Sequence, residues 1–281
     1  MQLLQLKNIF LERLIPMYGK EETAHFFYML CETHLTYTKV DVALNMQKEI
    51  ILPVIEKFDE AIERLVAWEP IQYIIGSAYF YGNDFMVTKD TLIPRPETEE
   101  LVDWIIDDFR EKEVKILDIG TGSGCIATSL ALNLPKASVS AVDISIGALV
   151  TANENAKKLR AKVNFEQLDI LGATDFFESF DLVVSNPPYV RNLEKEFMQP
   201  NVLEYEPQTA LFVSDTNPLL FYEKIANLFL KQARKDAVLY FEINEYLGEE
   251  LTELLLELGF KRPIIKQDFR GKDRMLKAVL Y

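Results

Sequence analysis

Between residues 7 and 67 apolar side chains recur every three or four positions, as at Phe26, Met29 and Leu30 and again at Ile51, Val54, Ile55, Phe58, Ile62 and Leu65. That is the spacing of one buried helix face, and it predicts a small all-α domain over residues 1–68. After Trp68, Glu69 and Pro70 the texture changes to aromatic and β-branched residues, Tyr73, Ile74 and Ile75 and then Tyr79, Phe80, Tyr81 and Phe85. Gly76 and a Gly82, Asn83, Asp84 turn punctuate them, which predicts a linking β-hairpin over 69–90. From residue 114 onward short apolar runs at 114–117, 139–142, 163–168, 182–184 and 238–241 read as strands, with helical patterns such as 148–159 and 219–230 between them. Alternating strands and helices predict βαβ units, hence a parallel sheet covered by helices on both faces, over residues 91–281. A helical run at 251–258 stops at Gly259, and the strand-like runs at 263–266 and 275–280 are joined by a connection short enough for an antiparallel pair.

A chain of 281 residues with 49% hydrophobic residues has enough apolar material for two domains. Its 44 acidic against 30 basic residues give a net charge of -14. Such a charge repels phosphate backbones, so nucleic acid is a disfavoured substrate. Cys31 and Cys125 are too few and too far apart for a disulfide framework or a Cys-rich metal site. The N-terminal residues lack the charged, apolar and small-residue regions of a secretory signal, and no apolar window is long enough for a membrane span. A reducing cytoplasm is the expected setting. His25 and His34 have no Cys or acidic companions at metal-ligand spacing, so no metal is expected; with Phe26, Phe27 and Tyr28 they read as ordinary helix residues.

Candidate chemistry begins at Asp118, Ile119, Gly120, Thr121, Gly122, Ser123 and Gly124, which follow the first strand and open a helix at about Cys125. Glycines there let the backbone approach a ligand and offer free amides at a helix N-terminus. Asp143 ends the next strand about 20 residues further on, where a carboxylate can accept from two ribose hydroxyls. Asp143 also reads as a helix N-cap. A nicotinamide dinucleotide would use the same geometry, but its fingerprint wants a third glycine where this chain has Cys125.

The second candidate is Asn186, Pro187, Pro188 and Tyr189, directly after the strand ending at Ser185. Consecutive prolines stiffen the loop and leave its carbonyls projecting. An amide or exocyclic amine nitrogen is a poor nucleophile because its lone pair is delocalised. Two fixed acceptors, the Asn186 side-chain oxygen and the Pro187 carbonyl, could hold its hydrogens, direct the lone pair and stabilise the charge that develops. Tyr189 can pack flat against a planar amide or base. The same motif serves adenine-N6 and glutamine-amide methylation, so it leaves the substrate open.

The Gly-x-Gly-x-Gly spacing resembles the first motif of class I S-adenosylmethionine methyltransferases. The segments Gln72 to Gly76, Leu92 to Glu99, and Tyr205, Glu206, Pro207 with Ala210 and Leu211, together with the terminal Asp268-x-x-Gly271-x-x-Arg274, resemble the release-factor glutamine N5-methyltransferase family from about Trp68 to the C-terminus. The resemblance implies an α/β class I methyltransferase fold, a Rossmann-like doubly wound and mostly parallel sheet with an antiparallel C-terminal strand, preceded by an all-α domain that docks the substrate. It implies S-adenosyl-L-methionine as cofactor, held by Gly120, Thr121, Gly122, Ser123, Gly124, Asp143, Asp169, Ile170 and Asn186, with catalysis by Asn186, Pro187, Pro188 and Tyr189. Ile170 stands where some members have an aromatic residue. It implies class 1 peptide-chain release factors as protein substrate, methylated on the glutamine of a Gly-Gly-Gln tripeptide. An adenine-N6 methyltransferase, a ribosomal-protein glutamine methyltransferase and a non-catalytic binding module are the alternatives. For residues 94–99 a helix start and a wall of the cofactor site are both open.

Overall fold

The computed structural model describes residues 1–234 and 236–280. The chain forms two compact units, Met1–Gly76 with Pro200–Tyr205, and Ser77–Gln199 with the chain from Glu206 onward.

The first unit is helical, as its periodicity predicts: α1 (Leu3–Leu35), broken at Gly19, α2 (Lys39–Leu44), α3 (Leu52–Val66) and α4 (Ile71–Ile75). Thr38 and Asp41 form a reciprocal capping box at the start of α2. The core is aromatic, with Phe27 centred 5.6 Å from Phe10 and 5.5 Å from Phe58. Phe26 and Phe27 are buried there, as ordinary packing residues of the helix. Residues 73–75, read as strand from their composition, are helical. The Pro70 carbonyl accepts the amides of Tyr73 and Ile74, and the helix stops at Gly76. An apolar run this short carries no period that separates helix from strand, and burial of Ile71 against the first unit's core decides.

In the second unit the hairpin is confined to β1 (Ser77–Phe80) and β2 (Asn83–Met86), with Tyr81 and Gly82 at the turn. Phe80 and Phe85 are buried in the core of this unit, so the hairpin is part of it. The chain continues through α5 (Pro96–Phe109), β3 (Lys115–Ile119), α6 (Cys125–Asn133), β4 (Ser138–Asp143), α7 (Ile146–Leu159), β5 (Val163–Gln167), β6 (Leu182–Ser185) and β7 (Val190–Arg191). A 3-10 turn (Asn192–Phe197) follows, then α8 (Pro200–Tyr205), which belongs to the first unit; α9 (Gln208–Leu211), β8 (Phe212–Val213), α10 (Leu220–Gln232), β9 (Val238–Glu242), α11 (Gly248–Glu257), β10 (Lys261–Gln267) and β11 (Asp273–Val279) complete the second.

Seven strands form the main sheet in the order β10-β11-β9-β6-β3-β4-β5. β9, β6, β3, β4 and β5 are parallel, while β11 and β10 are antiparallel, the closing pair that the short 263–280 segment predicts. One face is covered by α5 and α6 through Leu101, Ile105 and Leu130, the other by α10 and α11 through Ile225, Phe229 and Leu251. From β3 the chain winds first towards β5 and then, after β6, towards β9. The reversal lies between β3 and β6, and doubly wound sheets bind ligands in the crevice outside the carboxyl ends at such a point.

Candidate active site

A cavity of about 490 Å³ opens at that crevice. Gly120, Thr121, Gly122 and Ser123 after β3, Asp143 at the end of β4, Asp169 and Ile170 after β5, and Asn186, Pro187 and Pro188 after β6 all line it. Residues brought together from four strand ends therefore include most of the positions singled out in the sequence. Gly124 and Tyr189 do not line this cavity. Gly124 has φ +77° and a Cβ there would stand 2.9 Å from the Ala152 Cβ, so its lack of a side chain serves the packing of α6 against α7. Tyr189 faces a second recess of about 40 Å³, which it lines with Asn186, Pro187, Arg95, Ala210 and Glu242.

The glycine loop does not present a row of free amides. Gly120 and Thr121 donate to the Val142 carbonyl, Gly124 donates to Thr121, and Gly122 donates to Asp143 Oδ2 at 2.9 Å. These four amides are therefore not available to a pyrophosphate, and the third glycine of the dinucleotide fingerprint is replaced by Cys125. Asp143 is the pivot: its other oxygen accepts the Ser145 amide at 2.9 Å, and burial pushes its pKa up. It is not the cap of α7, because Ser145 Oγ accepts the Ala148 amide at 3.2 Å and fills that role. The carboxylate thus shapes the loop and keeps lone pairs turned to the cavity.

Asp118, beneath the loop, accepts the Thr121 hydroxyl at 2.6 Å, and burial pushes its pKa up to about 7. Asn155, distant in sequence, accepts the Met86 amide at 2.7 Å and donates to the Ser123 carbonyl at 2.9 Å, tying β2 to the loop. The Ser185 hydroxyl donates to the Ile119 carbonyl at 2.7 Å, locking the two loop origins together. Among the described residues the Asn186 side-chain amide has no hydrogen-bond partner, and it lines both cavities.

Residues 94–99 supply a helix start and part of a cavity wall. Pro96 opens α5 at its first position, and Pro94, Arg95 and Thr98 line the large cavity. This wall is pinned by Glu206, whose buried carboxylate accepts the Ile93 amide at 3.1 Å and an Arg95 nitrogen at 2.6 Å. Glu206 and Glu242 were not singled out as site residues. Glu206 lies inside a quoted motif, whereas Glu242 sits in an apolar strand where nothing local marks it.

A family model described as methyltransferase small domain matches residues 98–206, and one described as PrmC N-terminal domain matches residues 17–76. A solved methyltransferase from Pyrococcus furiosus shares the fold, at 15% identity, TM-score 0.53, over 79% of this chain and 98% of its own. The second unit is therefore a class I methyltransferase domain. Relatives narrow this further. A release factor glutamine methyltransferase from Flavobacterium psychrophilum is 46% identical over 96% of both chains, and one from Bacteroides thetaiotaomicron is 43% identical over 95% of this chain and 96% of its own. The chain belongs to the release factor glutamine methyltransferase family. No helix among the described residues is long and apolar enough to cross a membrane.

Proposed function

We propose that this protein transfers a methyl group from S-adenosyl-L-methionine to the side-chain amide nitrogen of the glutamine in the Gly-Gly-Gln tripeptide of class 1 peptide-chain release factors, in the cytoplasm. The observation that carries the reading is the pair of adjoining cavities that meet at Asn186 and Pro187, one of about 490 Å³ and one of about 40 Å³. The larger suits an adenosyl group. Asp143 offers carboxylate acceptors for ribose hydroxyls, Asp169 a further acceptor, and Ile144, Leu168, Ile170 and Phe221 an apolar wall. The smaller, lined by Asn186, Pro187, Tyr189 and Glu242, offers polar acceptors and an aromatic face beside one another, which suits a carboxamide. The net charge of -14 disfavours a nucleic acid as the methyl acceptor.

When bound, the cofactor supplies an electrophilic methyl on a sulfonium. The protein does the rest by positioning. The Asn186 side-chain oxygen and the Pro187 carbonyl accept the two amide hydrogens, which turns the nitrogen lone pair towards the large cavity and stabilises positive charge growing on it. Pro187 and Pro188 hold that loop rigid, because neither can rotate freely in φ. Tyr189 covers one face of the recess. A methylated amidium is acidic enough to lose its proton to water, so the site needs no general base. Cys31 and Cys125 are free and buried, in keeping with a reducing compartment.

The test is a competition: labelled cofactor, the protein, a class 1 release factor and an adenine-containing oligonucleotide in one vessel. Label is expected in the release factor alone. Label in the oligonucleotide would overturn the substrate assignment.

A further inference from the structure

The exit of β9 carries a carboxyl that the transfer scheme above does not use. Glu242 is 1% exposed and lines the small recess. Its Oε1 accepts the Tyr189 hydroxyl at 2.9 Å and its Oε2 accepts the Thr98 hydroxyl at 2.6 Å. Two residues on, the Asn244 side chain donates to the Tyr189 carbonyl at 3.1 Å. Ring tip and backbone of Tyr189 are therefore both held from the same strand end. Two hydroxyl donors converging on two oxygens suit a carboxylate, which accepts at both and donates at neither.

The terminal Asp-x-x-Gly-x-x-Arg motif acts at the same place. Asp268 accepts the amides of Arg270 and Lys272 and an Arg274 nitrogen at 3.2 Å, and Arg274 also donates to the Ile243 carbonyl at 3.4 Å. A tight turn thus pins one guanidinium beside the end of β9. Its positive charge draws the Glu242 pKa down against the burial that raises it.

We propose that Glu242 is a positioning residue of the transfer site: by accepting the Tyr189 and Thr98 hydroxyls it fixes the tilt of the Tyr189 ring, and so the width of the recess that receives the substrate amide. The proposal rests on the function stated above. A ring free to rock would leave the amide nitrogen poorly aimed, and misaim is felt in the chemical step rather than in cofactor binding. Glu242→Gln keeps the volume but replaces one acceptor oxygen by a donor nitrogen, so one hydroxyl keeps a partner only by turning round to accept, and its charge-assisted bond is lost.

The experiment compares the unaltered protein with Glu242→Gln, Tyr189→Phe and the double variant. Losing one buried hydrogen bond to a charged group predicts a single-turnover rate about tenfold slower in Glu242→Gln, with adenosylhomocysteine affinity within about twofold. The double variant is expected to be no slower than the slower single one, since both substitutions break the same link. Rates that multiply in the double variant, or an unaltered rate in Glu242→Gln, would overturn the proposal. A readout without substrate separates it from the function assignment. Carbon-13 tyrosine NMR, with the Tyr189 ring assigned through Tyr189→Phe, is expected to show slow ring flips that become fast in Glu242→Gln. Unchanged flipping overturns the positioning role. If flipping changes but the unaltered protein leaves release factors unmethylated, the function is wrong and the positioning role stands.

Discussion

Ser185 and Ile119 face each other at the carboxyl ends of β6 and β3, and the Ser185 hydroxyl donates to the Ile119 carbonyl at 2.7 Å. One residue beyond each, the chain leaves the sheet as the Asn186 loop and the Gly120 loop. The spacing of the two loops is thus set where they leave adjacent parallel strands.

Asp143→Ala is expected to weaken adenosylhomocysteine binding. It removes a charged acceptor from the ribose hydroxyls, a loss of roughly 1.5–3 kcal/mol or about 10- to 150-fold in affinity. It also frees the Gly122 and Ser145 amides that shape the loop. Calorimetry on the folded variant checks this, and unchanged affinity would refute the ribose role.

The glycines of the loop are expected to separate by function. Gly124→Ala places a Cβ 2.9 Å from Ala152 at φ +77°, so overpacking and left-handed strain together destabilise the fold by roughly 2–4 kcal/mol. Gly122 has φ +55° and lines the cavity, with no heavy atom within 4 Å of an added Cβ. Gly122→Ala should cost roughly 1–2 kcal/mol in stability from backbone strain alone, and its larger defect should be in cofactor affinity. Urea unfolding and calorimetry on both variants test the contrast, which fails if the two lose stability equally.

Much of this was legible in the chain because periodicity reports burial. The strand and helix runs after residue 114 and the helices before residue 67 follow the apolar pattern, and the glycine and Asn-Pro-Pro-Tyr loops fall at strand ends as their turn chemistry requires. What was hidden depends on contacts between distant positions. That the loop amides are already satisfied follows from the neighbouring strand's Val142 carbonyl and from Asp143. Glu242 looks like any strand-end residue until Tyr189, Thr98 and Arg274 are brought around it. Residues 73–75 depart from the strand their composition predicts because a short apolar run has no period of its own.

Asp118 makes stability depend on pH. Its carboxyl titrates at about 7 in the folded protein against about 4 when unfolded. Between those values the folded state carries the extra proton, so this group's contribution falls as pH rises through that window and stays low above it. The whole change is worth roughly 4 kcal/mol. Asp118→Asn should flatten the profile: relative to the variant, the unaltered protein loses unfolding free energy between pH 4 and 7. Parallel profiles in urea titrations would contradict the burial of an ionisable carboxyl there.

Asn186→Ala is expected to fold with nearly unchanged stability, since its side-chain amide has no hydrogen-bond partner among the described residues. Turnover should fall by about a hundredfold or more, the usual cost of removing one fixed dipole from developing charge. Near-normal single-turnover rates at saturating substrate would refute the amide clamp.

The role proposed for the Asn186 and Pro187 acceptors is to aim a glutamine amide at the cofactor. Fragment mass spectrometry of a class 1 release factor, after reaction with the unaltered protein and with Asn186→Ala, reads that role out. A single methyl on the glutamine of the Gly-Gly-Gln tripeptide is expected with the unaltered protein, and almost none with the variant under the same conditions. A methyl on any other residue, or equal modification by both proteins, would contradict it.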